Sequence, residues 1–408
     1  MRQQQTLFDS SRLSLNESIE LTAQSLNAYI PGHKHIAVAY SGGKDSSATL
    51  TLLSYLIDAG RVKLPDGCQV HVLYADTRQE LPPLHFAAMS MLEDCKRRGF
   101  KTHIVCAPLE KRFWPYILGR GVPSPNNGTL RWCTRQIKVD PMTAALADLR
   151  AQLANDERLL MLTGVRLGES AARDQRIAMS CTKDGGECGQ GWYQKMTAPQ
   201  TDTVAPLLHW RVCHVWDWLV QADIEHGFPT MEVAEAYSMT ESIEQGDEPI
   251  ASRTGCIGCP LVSTEDTALA RVCAQEKWAY LSPLKELRAV HAEARKLSNR
   301  LRKPGGETRK DGSLVKNQGR FGPICLDVRE QLLKQVLDVQ TRVNIAAISQ
   351  GRPQISIINS MEELFIRKCI GEEVWPKGWT GDEPRGDAWI DEPLANGHVQ
   401  PLITGLEP

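Results

Sequence analysis

The chain has 408 residues, 42% of them hydrophobic and 24% charged, with a formal net charge of −2. That composition is ordinary for a globular protein of two or three domains, and the near-neutral balance excludes a global nucleic-acid-binding field, so any basic surface must be local. No apolar run is long enough to span a bilayer, so no membrane partner is expected. The start, Met1-Arg2-Gln3-Gln4-Gln5, lacks the apolar core of a signal peptide, and the expected location is cytoplasmic. Twelve cysteines in a reducing compartment point to metal binding rather than disulfides.

In chain order, a polar start leads into an amphipathic helix over Ser14 to Tyr29, closed by Pro31-Gly32. The β-rich run Ile36-Ala37-Val38-Ala39-Tyr40 comes next, then Ser41-Gly42-Gly43-Lys44-Asp45-Ser46, then a helical run that stops at Gly60. A strand, a glycine turn and a helix make a phosphate cradle, because the turn's N–H groups and the helix dipole face an anion together. The spacing is neither Walker A nor G-x-G-x-x-G. Val70–Ala75 is predicted as the second strand, 82–98 as a helix and Thr102–Cys106 as the third strand. This rhythm implies a parallel, doubly wound sheet with its site at the C-terminal ends of the strands.

A loop-rich stretch from Pro108 to Leu130 ends in Arg131-Trp132-Cys133-Thr134, and a helix is predicted from Pro141 to about Asn155. Leu159–Gly164 is predicted as the fourth strand and Thr203–Leu207 as the fifth, with a helix from about Val212 to Ala222. Beyond residue 230 the βα rhythm is lost, and helices are predicted over 264–280, 283–302, 326–347 and 360–370. The expected organisation is therefore an N-terminal helix (1–30), an α/β domain (31–230), a mostly helical C-terminal part with a basic patch (231–350) and an extension (351–408).

Several motifs carry chemistry. Gly164-Val165-Arg166-Leu167-Gly168-Glu169-Ser170 closes the fourth strand, where an Arg and a Glu are placed to bind phosphate and order a loop; Arg173 and Arg176 follow. Lys44 supplies charge to the phosphates. Asp45 is a candidate near a metal ion. Asp76, ending the second strand, either faces Mg²⁺ or the nucleotide or caps a helix. Cys256-x-x-Cys259 has the spacing of a metal or Fe–S site, and Gly255, Gly258 and Pro260 give it a tight turn. Cys133 and Cys273 complete four thiolates, a number that suits zinc and [4Fe–4S] equally. Cys181 and Cys188, in a glycine-rich loop, are relay thiols, a second metal pair or plain loop residues. The remaining cysteines are expected to pack as small hydrophobes.

Residues 285–320 hold eleven Lys/Arg against four Asp/Glu. Arg288, Arg295 and Arg302 recur every seven residues, near one face of the predicted helix. Lys303, Arg309, Lys310, Lys316 and Arg320 follow, and phosphate binding is the expectation for this patch.

Ser41–Ser46 resembles the PP-loop, S-G-G-x-D-S, of the ATP pyrophosphatases, which cleave ATP between the α- and β-phosphates and adenylate an oxygen. Gly164–Ser170 resembles the G-x-R-x-x-E-S motif of the phosphoadenosine phosphosulfate (PAPS) reductase family. Pro206-Leu207-Leu208-His209-Trp210 and Val215-Trp216-Asp217-Trp218-Leu219 resemble that family's P-x-x-x-W and V-W-x-Y/W-L elements, with the tryptophans in the core. With Arg131–Thr134 and the later CxxC, the chain is similar to the SspD and DndC proteins of DNA phosphorothioation, closest to SspD. This resemblance covers roughly residues 30–280. It implies an adenine nucleotide alpha hydrolase-like fold. Ser41, Gly42, Gly43, Lys44, Asp45, Ser46, Asp76, Gly164, Arg166 and Glu169 would form the nucleotide site, with Lys44, Asp45 and Arg166 in catalysis. It also implies ATP, Mg²⁺ and a [4Fe–4S] cluster on Cys133, Cys256, Cys259 and Cys273. DNA is then the acceptor, a cysteine desulfurase the sulfur donor, and other phosphorothioation proteins of anti-phage defence the partners. Rival readings are a tRNA thiolase, a PAPS reductase-like enzyme of sulfur metabolism, and a non-catalytic nucleotide-sensing module of a defence complex.

Overall fold

In the computed structural model the described residues are 13–126, 130–154, 157–168, 175, 186–187, 192–194, 201–237, 256–262, 266–304, 307–309, 311–315, 319–388, 390–393 and 399–402. They form two compact units. One comprises the described residues of Met1–Ala75, Pro82–Val105 and Met142–Thr254, the other those of Asp76–Leu81, Cys106–Pro141 and Gly255–Pro408. The second unit therefore takes its residues partly from stretches that follow the second and third strands.

The first unit is a seven-stranded sheet. Its strands are β1 (His35–Tyr40), β2 (Gln69–Ala75), β3 (Lys101–Val105), β4 (Leu159–Leu162), β5 (Gly186–Glu187), β6 (Trp192–Gln194) and β7 (Thr201–Ala205), in the order β3-β2-β1-β4-β7-β6-β5. The five strands from β3 to β7 in that order pair in parallel, and β6 and β5 extend the sheet antiparallel. This is the predicted doubly wound α/β architecture, with its order reversing at β1. The apolar runs explain it: Ile36, Ala37, Val38, Val72, Leu73, Leu159, Leu160 and Leu162 are fully buried, as strands covered on both faces must be.

The helices of this unit are α1 (Leu15–Tyr29), α2 (Lys44–Asp58), α3 (Pro82–Arg97), α4 (Asp140–Arg150, which begins in the other unit's stretch), α5 (Val212–His226) and α6 (Met231–Ala236). Ser14 and Glu17 form a capping box that starts α1. On one face of the sheet Ala37, Leu73, Leu149 and Leu159 pack with Met142 and Leu146 of α4. Trp210 and Trp218 are buried, their indole N–H groups donating to Thr22 Oγ1 and Thr51 Oγ1 at 3.0 Å each. They hold α1 and α2 against the fold, the structural role expected of them. Across β1, β2 and β3, His35, His71 and His103 form a hydrogen-bonded stack, with N···N distances of 3.4 and 3.0 Å.

The second unit is mostly helical, as expected, with α7 (Thr267–Ala274), α8 (Leu287–Arg295), α9 (Leu326–Ser349) and α10 (Ser360–Gly371). Two small hairpins accompany them, β8 (Arg300–Arg302) with β9 (Phe321–Ile324) and β10 (Ile390–Pro393) with β11 (Val399–Leu402). The predicted helix over 283–302 is corrected. Tight 3₁₀ turns over Glu276–Glu286 replace both its start and the end of the helix predicted over 264–280, and α8 stops at Arg295 because Lys296 leaves the helical conformation, with ψ 137°. No helix among the described residues is long and apolar enough to cross a membrane.

Candidate nucleotide-binding loop and cysteine site

In the first unit, Ser41–Gly43 link the end of β1 to the start of α2. Gly42 has φ +74°, and a Cβ there would lie 3.2 Å from Ala88 Cβ, so both conformation and space call for glycine. Gly43 is the extended residue before α2 and has no side chain to cap the helix's first N–H groups, the place where an anion can bind. Ser46 fixes the loop's shape: its hydroxyl donates to Gly43 O at 2.9 Å, accepts from Ser41 N at 3.2 Å and pairs with Ser41 Oγ at 2.9 Å.

The segment after β4 closes on this loop. A Cβ on Gly164 would lie 2.9 Å from Asp45 C and Ser46 N, both backbone atoms, so glycine is the residue that admits the contact. Two residues on, the buried Arg166 donates through Nε to Asp45 Oδ1 at 2.5 Å. Lys44 Nζ lies 3.3 Å from Asp45 Oδ2. One carboxylate thus holds two cations beside the N-terminus of α2. The structure brings Ser41, Gly42, Gly43, Lys44, Asp45, Ser46, Gly164 and Arg166 together. Glu169, with Ser170, Arg173 and Arg176, lies outside the described residues.

Sequence reasoning missed Tyr237, which follows α6. Its hydroxyl accepts from Lys44 N at 3.4 Å, and its ring lies under Lys44 Nζ at 5.2 Å from the centroid. No spacing in the sequence signals it. Asp76 does not cap a helix: its Oδ1 accepts from Arg78 N at 2.9 Å, closing a turn in which Arg78 has φ +62°.

In the second unit, Cys256, Ile257, Gly258 and Cys259 form a turn with Cys259 N donating to Cys256 O at 3.2 Å. Gly258 has φ +57°, and a Cβ there would meet Leu287 Cβ at 2.8 Å. The turn is pinned by Ile257 N donating to Gln79 O at 2.8 Å, beside a β-bridge between Glu80 and Cys256. Burial pushes the Cys256 thiol up to about 12, and Cys259, Glu80 and Cys133 add to the effect. Burial also raises the Cys133 thiol, with Cys259 contributing. These three thiols therefore form one electrostatic group. Cys273, buried on α7, is raised by burial and interacts instead with Lys285, Ser282 and Asp266. Thiolates are ligands for a soft cation, and Cys256 and Cys133 would each have to give up a proton to bind one. Cys181 and Cys188 lie outside the described residues, and Cys95, Cys325 and Cys369 are buried in packed elements.

The basic patch is built differently from the expected helical face. Arg295 Nη2 donates to Pro125 O and Pro260 O, each at 2.6 Å, tying the loop before Cys133 to the CxxC turn. Arg288 donates to Val262 O at 3.2 Å. Arg302 is buried on β8 and donates to Gly319 O at 2.8 Å. Lys303 pairs with Glu383 at 2.5 Å and Arg320 with Glu307 at 3.0 Å. The three heptad-spaced arginines are scaffold, and two of the flanking cations are already paired. Lys310 and Lys316 lie outside the described residues.

Two uncharacterized proteins of Methanocaldococcus jannaschii are similar to this chain. One is 24% identical over 226 residues, covering 55% of this chain and 41% of the relative. The other is 23% identical over 235 residues, covering 57% and 38%. The chain thus spans about two fifths of the length of these curated relatives. Among solved structures, the phosphoadenylyl-sulfate (PAPS) reductase of Candida auris covers 51% of this chain and 87% of its own, with 13% identity and a TM-score of 0.31. The U34-tRNA thiolase of Methanococcus maripaludis, solved with its [4Fe–4S] cluster, covers 57% and 75%, with 14% identity and a TM-score of 0.33. At these scores the likeness says nothing of activity. The phosphoadenosine phosphosulfate reductase domain family matches residues 35–227, the stretch from β1 to just past α5, and over that stretch the chain is similar to that family.

Proposed function

We propose that this protein is an ATP pyrophosphatase of DNA phosphorothioation, which activates a backbone phosphate oxygen by adenylation so that sulfur can replace it. The observation that carries the reading is the loop's geometry: the N-terminus of α2 behind an uncapping Gly43, Lys44, and an Arg166–Asp45 pair pressed against it through Gly164. That set suits the expulsion of pyrophosphate, which needs stabilisation of negative charge more than an acid or base.

In this scheme the polyphosphate lies over residues 41–46. The acceptor oxygen attacks the α-phosphorus, the α–β bond breaks and pyrophosphate leaves. The persulfide of a cysteine desulfurase then attacks the activated phosphorus and displaces AMP, which carries the oxygen away; a second thiol cleaves the S–S bond, leaving sulfur on phosphorus and the two thiols joined as a disulfide. Lys44 and Arg166 hold the developing charge, and Asp45 orients both. Mg²⁺, if bound with the nucleotide, would neutralise further phosphate charge, with Asp45 as a candidate ligand. Cys133, Cys256 and Cys259 would hold a [4Fe–4S] cluster, with Cys273 the fourth ligand that the SspD/DndC resemblance supplies. A cluster at that place would fix the loops or carry sulfur.

Mass spectrometry of DNA and tRNA from cells with and without the protein tests the acceptor. Phosphorothioate in DNA that depends on the protein supports the proposal; sulfur appearing only in tRNA overturns it. Pyrophosphate release by the purified protein separates an enzyme from a nucleotide sensor. Iron content and the visible spectrum after anaerobic purification test the cluster, and a colourless, zinc-loaded protein would refute it. Cys133→Ser and Cys256→Ser should each lose the iron. Cys273→Ser decides the fourth ligand, since its thiol keeps company with Lys285 and Asp266.

A further inference from the structure

The turn after α6 places a phenol at the mouth of the phosphate cradle. Tyr237 Oη accepts a long hydrogen bond, 3.4 Å, from the N–H of Lys44, the first residue of α2. That N–H has no acceptor within its own helix and belongs to the group that faces an anion. A Cβ on Gly43 would lie 3.2 Å from the same hydroxyl, so the glycine is what lets the phenol approach. The ring is held from two sides. Trp216 meets it edge-on at 5.2 Å with an interplanar angle of 74°, and the Lys44 ammonium lies 5.2 Å from its centroid. Tyr237 is 9% exposed, so its ring is packed.

In the bond to Lys44 the hydroxyl accepts, so its own hydrogen is left to donate elsewhere. The groups around it, a lysine ammonium and the positive end of a helix, favour an anionic oxygen as the recipient. We infer that Tyr237 is a phosphate-binding residue of the loop, whose hydroxyl donates to an oxygen of the nucleotide's polyphosphate. A phosphate oxygen there accepts from the Lys44 N–H and from the phenol together. Trp216 is then a positioning residue: it fixes the angle at which the phenol meets the cradle. The inference rests on the reading of the loop as a nucleotide site and adds to it a ligand from outside both sequence motifs.

The test is titration calorimetry of the full chain with the non-hydrolysable ATP analogue AMPCPP, comparing wild type with Tyr237→Phe. Phenylalanine keeps the ring, the Trp216 contact and the lysine above it, and removes the donor. The expected result is affinity about tenfold to a hundredfold weaker, the range for a hydrogen bond to a charged group, at an unchanged melting temperature. Equal affinity in the two proteins overturns the inference while leaving the nucleotide reading intact. Affinity lost together with melting temperature shows a packing role and overturns it as well. Wild-type protein that does not bind AMPCPP removes the nucleotide reading and this inference with it. Trp216→Leu should weaken AMPCPP less than tenfold if Tyr237 is present and not at all in the Tyr237→Phe background; additive losses show that Trp216 does not act through Tyr237.

Discussion

The nucleotide loop of the first unit and the cysteine turn of the second are both tight glycine turns, but they are prepared for opposite ligands. The loop is charged before anything binds. Lys44 and Arg166 share Asp45 beside the start of α2, where Gly43 provides no capping side chain. At the cysteine site desolvation raises the Cys256 and Cys133 thiols, and Cys259 adds to both. Its nearby arginine is spent on carbonyls, Pro125 O and Pro260 O, rather than on sulfur. An anion can therefore enter the loop without rearranging its charges, whereas a cation must drive protons off the turn. The first site is preorganised by electrostatics, the second by backbone.

The largest expected effect comes from breaking the charge arrangement of the loop. Asp45→Asn leaves the buried Arg166 without its carboxylate. Pyrophosphate release should fall at least about a hundredfold. Stability should fall by about 2 kcal/mol, less than the full cost of splitting a buried pair because Asp45 is partly exposed. Iron content should stay as in wild type. Cys256→Ser should show the reverse pattern, with iron lost and AMPCPP affinity kept. If Asp45→Asn also loses iron, the two sites are not prepared independently and the contrast between them fails.

Burial also opposes protonation in the first unit, at His71, which stacks with His35 and His103. Desolvation lowers His71 to about 4, and His103, His35 and Lys101 add to it. The folded protein thus refuses a proton that the unfolded chain takes up near pH 6.5. Stability should be fully present above pH 6.5, fall as pH drops from 6.5 towards 4, and level off below, by on the order of 3 kcal/mol for this group. Denaturant titrations at pH 7, 5.5 and 4 check the slope. His71→Phe should flatten it, and an unchanged slope would place the acid sensitivity elsewhere.

A pair of glycine variants comes next. Gly164→Ala drives a methyl into the backbone of Asp45 and Ser46, and Gly258→Ala drives one towards Leu287 on α8. Each should cost about 1–3 kcal/mol. Gly164→Ala should weaken AMPCPP and spare iron, and Gly258→Ala should lower iron and spare AMPCPP. Melting curves beside both binding assays would show whether either glycine matters only for folding.

How much of this was legible in the sequence follows from what each signal reports. The parallel sheet was legible because buried strands are continuous apolar runs, and the loop because two glycines and two serines must stand where the backbone bends. Gly164 was named from its motif, but its reason, contact with the backbone of Asp45 and Ser46, needs a fold. Tyr237 was illegible, since nothing local marks a residue that acts on a turn nearly two hundred positions earlier. The arginines at 288, 295 and 302 misled for a physical reason. Their sevenfold spacing suits a helix, but the chain leaves the helical conformation at Lys296, and the Asn299 side chain ties that bend to Glu293 O at 2.9 Å. Spacing reports a face only while the helix lasts.

The smallest expected effect tests what became of that patch. Lys303 is paired with Glu383 and lies 4.6 Å from the Trp379 ring centroid, and Arg320 is paired with Glu307 and lies 5.3 Å from the same centroid. A cation so engaged would have to give up a carboxylate to meet a DNA phosphate, and would release little bound counterion by doing so. The double variant Lys303→Met/Arg320→Met should therefore leave the slope of log affinity against log salt for duplex DNA within about one unit of wild type, where two lost phosphate contacts would shift it by about 1.8. Filter binding at several salt concentrations gives the slope. The larger shift would return these two side chains to the DNA surface, and the second unit would then hold a phosphate site as well as a thiol one.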